Sequence, residues 1–387
     1  MTNKTLSPEQ PNELSTNDHL LNGKQEFHLD IRPSNNRAEM LELWKQLDER
    51  LPDVSLACSY LWVKNWLEHF GDLVPHRFAV AMFQNKPIGI TLLTEGTDNK
   101  EGPFSVRSLH LGTAGEPEAD SICVEYNNLL IDSKWKPLFG EALLELFDQE
   151  PIWDEFCIDG WEQSELQYAF GTKIKNWETR YSRSFFHSLK ETRKEKVTPV
   201  SRMGKSTRKA ISRNRNSHGH LKTEWAETVD HATDIFNDLI SLHQKRWQAI
   251  GKPGSYSSQR FLDFHYASIQ NLIPIKKMGL FRVTNEEGVV GCVQMMFDDN
   301  RALVYQTGCA EYTSKRSPGL ITDYLCLEAC LERGYDAYDL LGGETHHKER
   351  LSTEFNTLTW TKYRRKRLKF QVINLLRGCK QFIVHKN

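Results

Sequence analysis

Two stretches of this 387-residue chain combine residue types and spacings that could do chemistry. In Lys315-Arg316-Ser317-Pro318-Gly319-Leu320, Ser317 is a good helix N-cap and Pro318 is suited to the first helical position. The first turn of a helix leaves backbone N–H groups unpaired at the positive end of its dipole. Gly319 removes a side chain where a phosphate could approach, and Lys315 and Arg316 add positive charge just before the turn, so the stretch reads as an anion site. An ordinary helix start with a solvated basic turn would show the same residues. The second stretch follows the glycines of Tyr338–Gly343 and gathers Glu344, His346, His347 and Lys348. Adjacent histidines diverge and no third ligand is evident, so no metal site is expected. Cys326 and Cys330, one helical turn apart, read as packing. Cys309 ends a strand with no His or Asp marked out as its partner.

The elements that must position these residues are a strand over Ala302–Cys309, a helix from Ser317 to a stop at Gly334, and a strand over Ala337–Leu341. Leu320, Tyr324, Leu327 and Leu331 recur at helical spacing and predict a core face, with Asp323, Glu328 and Glu332 outside it. Upstream, residues 232–249 and 259–272 read as helices. Residues 279–309 read as three strands joined by tight turns at Asn285–Gly288 and Asp298–Asn300.

The first half shows the same order. An extended FHLDIR precedes helices over Arg37–Arg50 and Ser59–Phe70, a hairpin turning at Gln84–Lys86, the strand SVRSLHLG, the helix FGEALLELFDQE and the strand WDEFCIDG. Two such runs imply a tandem duplication of one α/β unit, with lobes over residues 27–185 and 203–368 and mainly antiparallel central sheets. Residues 186–202 read as a basic linker and residues 369–387 as a C-terminal helix. The first-half loop carries Glu116, Glu118, Asp120 and Glu125 and has no counterpart of the basic helix start, so only the second copy is expected to bind an anion.

Lys plus Arg (50) and Asp plus Glu (51) nearly cancel, so global charge points to no nucleic-acid partner. Locally, Lys190–Arg215 and KYRRKRLK near the C-terminus are basic. The polar residues 1–26 lack an apolar signal region and read as a disordered lead-in, and no apolar run approaches membrane-spanning length. Eight scattered cysteines without a CxxC pair fit reduced thiols and a cytoplasmic location.

The order of elements, together with LHQKRW (242–247), SPGL (317–320), YDLLGG (338–343) and HHKERLS (346–352), resembles the GNAT-related acyltransferases of the CelD-like, cellulose-biosynthesis-associated group. These are related to the Fem-type aminoacyl transferases, whose basic helix at the entry to the second half GKSTRKAISRNRN resembles. The resemblance implies tandem GNAT-like acyl-CoA N-acyltransferase lobes passing an acyl group from a thioester or ester to an amine, in envelope or exopolysaccharide biosynthesis. The co-substrate would be acyl-CoA or acyl carrier protein, with no tightly bound cofactor and the donor held by residues 315–320. The alternatives are an aminoacyl-tRNA donor and a non-catalytic accessory protein of polysaccharide assembly. The usual GNAT pyrophosphate loop, Gln or Arg-x-x-Gly-x-Gly or Ala, is absent between Thr307 and Leu320, which weighs against acetyl-CoA itself. Acyl transfer needs a neutral amine, a stabilised oxyanion and a proton for the leaving group. Glu344 or His346 could take the amine proton. Lys348, matched to the lysine of the family motif, could stabilise negative charge, and Tyr305 or Tyr324 could donate a proton.

Overall fold

A computed structural model describes residues 26–375 apart from 53, 314 and 315. The segments 1–25 and 376–387, and with them nearly all of the expected lead-in and most of the expected C-terminal helix, lie outside the described residues, as does Lys315. The first half runs β1 (Phe27–Pro33), α1 (Arg37–Arg50), α2 (Tyr60–Phe70), β2 (His76–Phe83), β3 (Lys86–Glu95), a short hairpin β4 (Lys100–Glu101) and β5 (Phe104–Ser105), and β6 (Ser108–Leu111). It continues through β7 (Leu130–Ile131), α3 (Lys136–Gln149), β8 (Glu155–Glu162), α4 (Gln163–Phe170) and β9 (Glu178–Ser188). After α5 (Leu189–Lys194) and α6 (Lys205–Ser217) come β10 (Lys222–Trp225), α7 (Val229–Ala249), α8 (Gln259–Leu272), β11 (Met278–Asn285), β12 (Gly288–Asp298) and β13 (Arg301–Cys309). The chain then forms α9 (Pro318–Glu332), β14 (Ala337–Gly342), α10 (His346–Leu351) and β15 (Glu354–Arg364), and residues 368–375 are helical.

The two expected sheets are joined into one. Its strand order is β1-β2-β3-β6-β8-β15-β9-β14-β13-β12-β11-β10, with β7 on the side of β3. All pairs are antiparallel except β6 with β8 and β13 with β14, each joined by a helical crossover, as parallel neighbours require. The centre is a reciprocal exchange. β9, from the first half, pairs with β14, and β15, from the second, pairs with β8. The two also pair with each other from Glu354 opposite Phe186 to Lys362 opposite Glu178. β8 and β14 would otherwise present open edges, and the exchange covers both.

One face of the sheet carries α1, α2, α7 and α8, whose side chains form a single core across both halves. Trp44, Trp66, Phe236 and Phe264 are fully buried there. Trp62 meets Phe264 edge-on at 5.2 Å, and Asn65 Nδ2 donates to Phe264 O (3.0 Å) and Ser268 Oγ (2.9 Å). Each large apolar side chain buried this way contributes about 2–3 kcal/mol. On the opposite face the cores are separate, one beneath α3 and α4 and one beneath α6 and α9.

The basic runs are partly committed to structure. In the expected linker, Arg193 pairs with Asp336 at 3.1 Å and Arg202 donates to Ser188 O at 3.3 Å. Near the C-terminus, Arg364 pairs with Glu155 (2.5 Å) and Glu101 (3.0 Å), and Arg367 (2.8 Å) and Lys369 (2.6 Å) both pair with Asp154.

The union of the halves should show in two measurements. Residues 26–202 and 203–375 produced separately should each fail to unfold cooperatively, because each lacks its partner's central strand, whereas co-production should restore a single transition by circular dichroism. Independent cooperative unfolding of either piece would contradict the exchange. The second concerns Asp298, at the β12–β13 turn, which accepts from Leu56 N (2.9 Å) and Ser55 Oγ (3.4 Å) of the first half. Burial pushes its carboxyl up to about 6, above an unfolded carboxylate. Its contribution to stability is therefore full below the unfolded value and lost as pH rises through about 6. Relative to wild type, Asp298→Asn should lose less stability over that window in denaturant titrations; parallel pH profiles would contradict this.

Candidate active site

β13 and β14 pair only from Arg301 opposite Ala337 to Leu303 opposite Asp339. Beyond this, β13 continues to Cys309 and β14 to Gly342 without pairing to each other, leaving an opening. The first-half segment Ile122–Tyr126 lies across it. Tyr305 Oη donates to Ile122 O at 2.6 Å, Tyr126 Oη donates to Asp339 Oδ2 at 2.7 Å, and Gly342 N donates to Glu125 Oε2 at 2.8 Å. Asp339 is fully buried and also accepts from Ser184 Oγ (2.7 Å), Leu341 N (2.8 Å) and the Arg301 guanidinium. A buried carboxylate this fully satisfied fixes the groups around it. Leu341 (φ +59°) and Gly343 (φ +117°) take the left-handed turn that presents the carbonyls of Leu341 and Gly342 to one side chain, Lys348.

Lys348 does not lie exposed beside Glu344 and His346. Thr345 caps the short α10, accepting from Lys348 N at 3.3 Å, and the lysine folds inward. Its Nζ donates to Leu341 O at 3.1 Å and Gly342 O at 2.5 Å. Burial lowers its pKa, against the opposing pull of Glu125, Asp339 and Asp323. Burial likewise raises Glu125, partly offset by the Gly342 N–H and the Lys348 charge. A lysine and a carboxylate, one from each half, thus have pKa values displaced toward each other, an arrangement suited to proton exchange. Lys348 can stabilise an oxyanion near the Gly342 turn, and Glu125 can accept a proton.

The other expected residues divide. Tyr305 lies at the opening, but its hydroxyl is held by Ile122 and burial drives its pKa well up, so it stays protonated. Tyr324 faces α6 instead, donating to Glu328 at 2.5 Å beneath the Arg215 guanidinium. Glu344 and His346 are exposed in the turn and the start of α10. Asp323, expected outside the apolar stripe, is buried and accepts from Tyr338 Oη (3.1 Å) and from His347 Nε2 (2.6 Å). Cys309 is buried and its thiol is raised by that burial, which makes it a poor nucleophile.

At the start of α9, Pro318 occupies the first turn, while the Ser317 side chain makes no capping bond; its backbone N donates to Asn214 Oδ1 at 2.5 Å. Pro318, Gly319 and Leu320 are buried, and Leu320 belongs to the core beneath α6 and α9. Arg316 does not turn to this helix start. It pairs with Glu287 and donates to Ser217 O at 2.8 Å, clamping the end of α6 to the β11–β12 turn. Three residues not expected from the sequence stand here instead. The Tyr312 hydroxyl takes the Gly319 N–H, Arg246 lies over the Tyr312 ring at 5.5 Å, and Arg350 sits in the field of Tyr312 and Asp323. Arg350 Nε is buried without a partner. LHQKRW supplies Arg246 and HHKERLS supplies Arg350, so the separate motifs converge.

A cavity of about 30 Å³ in the opening is lined by Cys123, Val124, Glu125, Tyr305 and Leu341. It shares Cys123–Glu125 with a cavity of about 820 Å³ over the central strands, also bordered by Gly342 and Gly343. Among the described residues no cluster of His, Cys, Asp and Glu could hold a metal ion, and no helix is long and apolar enough to cross a membrane.

With this geometry in view, residues 205–349 match the model of the acetyltransferase (GNAT) domain. The match marks the second half as similar to a GNAT acetyltransferase domain. The matched stretch contains β13, α9 and β14, and the likeness supports an N-acyltransferase. No curated protein matches the sequence. Among solved structures, that of FemX is 11% identical, covering 86% of this chain and 98% of its own with a TM-score of 0.54, which extends the fold likeness over both halves. A tandem GNAT protein of the clavulanic acid biosynthesis pathway is 10% identical over 87% of this chain and 98% of its own, with a TM-score of 0.41. A conserved protein from Bacteroides thetaiotaomicron is 12% identical over 83% and 97%, with a TM-score of 0.46.

Lys348→Met should keep the fold and the donor KM while lowering kcat for N-acyl transfer roughly 10²-fold, the effect of removing one charge from an oxyanion site. Unchanged kcat in a folded variant would place Lys348 outside the reaction.

Proposed function

We propose that the enzyme transfers an acyl group from a CoA or carrier-protein thioester to an amine, with the donor on the second half and the acceptor in the cavity between the halves. The observation that carries this reading is the wall Cys123–Glu125, which borders both the narrow opening between β13 and β14 and the large cavity. The donor phosphates would lie at the start of α9, beside Arg246 and Arg350, after the exposed Tyr312 gives up the Gly319 N–H. The absence of a Cβ at Gly319 is what lets the Tyr312 hydroxyl reach this N–H, since a Cβ there would lie 2.2 Å from Tyr312 Oη. The thioester then reaches the Gly342 turn through the opening. Lys348 stabilises the oxyanion, Glu125 takes the amine proton, and the leaving thiolate recovers a proton from the same pair. A CoA donor and reduced cysteines fit a cytoplasmic enzyme, and kinship with the CelD-like group would place the amine in envelope or exopolysaccharide precursors.

One feature favours a second reading, aminoacyl-tRNA as donor. α6, whose C-terminal end meets the start of α9 through Asn214, exposes Lys205, Arg208, Lys209 and Arg213. Binding that weakens steeply with salt, with a slope set by several phosphates, would select tRNA over a CoA thioester.

Arg246→Ala combined with Arg350→Ala should weaken donor binding at least tenfold at low salt, since each charge-assisted contact contributes about 1.5–3 kcal/mol. Arg316→Ala should leave it unchanged, because Arg316 is committed to Glu287. Equal titration calorimetry for wild type and the double variant would remove the donor from this helix start.

A further inference from the structure

We propose that Ser108, His110 and Asp159 form a second, nucleophilic acyl-transfer centre in the first half, with Ser108 accepting the acyl group of an ester or thioester. Successive side chains of a strand alternate faces, so Ser108 and His110 on β6 point the same way. The parallel register sets Ser108 opposite Glu155 and His110 opposite Cys157, which brings Asp159 to the same face just beyond. His110 Nε2 lies 3.0 Å from Ser108 Oγ, and its Nδ1 lies 2.8 Å from Asp159 Oδ2. A carboxylate can only accept, so Nδ1 carries the proton, and in the neutral imidazole Nε2 has the lone pair that receives the serine O–H. This is the geometry by which a hydroxyl is activated, and it is recognised by roles and distances on any fold.

A buried histidine satisfied by its neighbours would show the same bonds, so the surroundings decide. All three residues line the 820 Å³ cavity, and so does Glu116. Glu116 is 9% exposed; its Oε1 accepts from Ser121 Oγ and Ile122 N, both at 3.1 Å, while its Oε2 is buried without a partner. A buried carboxylate oxygen left unpaired is costly, and a cationic ligand group in the cavity would satisfy it. The preferred acyl group is therefore one that carries an ammonium.

In the step, Ser108 Oγ bonds to the acyl carbon as its proton passes to His110 Nε2. The C–S or C–O bond of the donor breaks, and the leaving thiolate or alkoxide takes that proton. Water then attacks the Ser108 ester, giving a proton through Nε2 to Oγ and releasing a carboxylic acid; an amine in its place gives the amide. This centre lies in the cavity proposed above for the acceptor but uses neither Lys348 nor the donor site at α9.

The test is labelling of the full chain with a fluorophosphonate probe, alongside hydrolysis of 4-nitrophenyl acetate and of the 6-aminohexanoate ester. Labelling should map to Ser108 by peptide mass spectrometry and vanish in Ser108→Ala and His110→Gln, with hydrolysis falling to background. Ser108→Cys keeps a nucleophile and controls for folding; it should become alkylated by iodoacetamide at position 108. Asp159→Asn should lower the rate and shift the pH midpoint downward, since the Asp159 bond and the charges of Asp159, Glu116 and Glu155 hold the imidazole up against burial. Glu116→Gln should erase the preference for the ammonium-bearing ester. A folded wild type that is not labelled, or labelling that survives Ser108→Ala, would overturn the proposal.

Discussion

The exchange of β9 and β15 at the centre of the sheet is the constraint on which the rest of the molecule depends. Each half ends by giving its last strand to the other, so neither sheet is complete alone and the halves cannot drift apart without breaking three strand ladders. The pooled core of α1, α2, α7 and α8 reinforces the union on one face. Along the exchanged strands, Glu178, Arg180, Ser182, Thr361 and Lys362 face a large cavity instead of a helix. The same exchange that joins the halves therefore also floors the space between them.

The two halves serve the candidate site in different ways. In the second half the parallel pair β13 and β14 opens beside the start of α9, and the first half's loop closes the opening with Tyr126, Ile122 and Glu125. The acidic loop of the first half is thus a wall of the candidate site in the second. Displacing the Lys348 and Glu125 pKa values toward each other requires burial, and burial is possible only because both halves cover the turn at Gly342.

Much of the architecture was legible in the sequence because the apolar periods were intact. The hairpins, the helices over Arg37–Arg50 and Gln259–Leu272, and the strand-helix-strand run from β13 to β14 all carry clear spacing. β9 and β15 were not read as strands. ETRYSRSFFHS and EFNTLTWTKYR spend one face on the polar cavity and so lack the apolar run that marks a central strand. At the site, Lys348 was found but its burial was not, since a run of ionisable residues gives no sign that a left-handed Leu341 will turn two carbonyls toward one of them. Arg246 and Arg350 lay inside motifs already singled out, but only the folded chain brings residues about a hundred positions apart to the Tyr312 ring. Arg316 was misdirected because Glu287, its partner, sits in a turn almost thirty residues away.

The proposed reaction centre is assembled from both halves, with Glu125 and Lys348 acting on the same atoms. It is tested most directly by a double-mutant cycle of Glu125→Gln and Lys348→Met on kcat/KM for N-acyl transfer. Residues that act together at one centre should couple by about 1 kcal/mol or more, with the double variant hardly worse than the poorer single one. Additive losses, to within about 0.5 kcal/mol, would show that the two side chains act separately and that the first half only shelters the site.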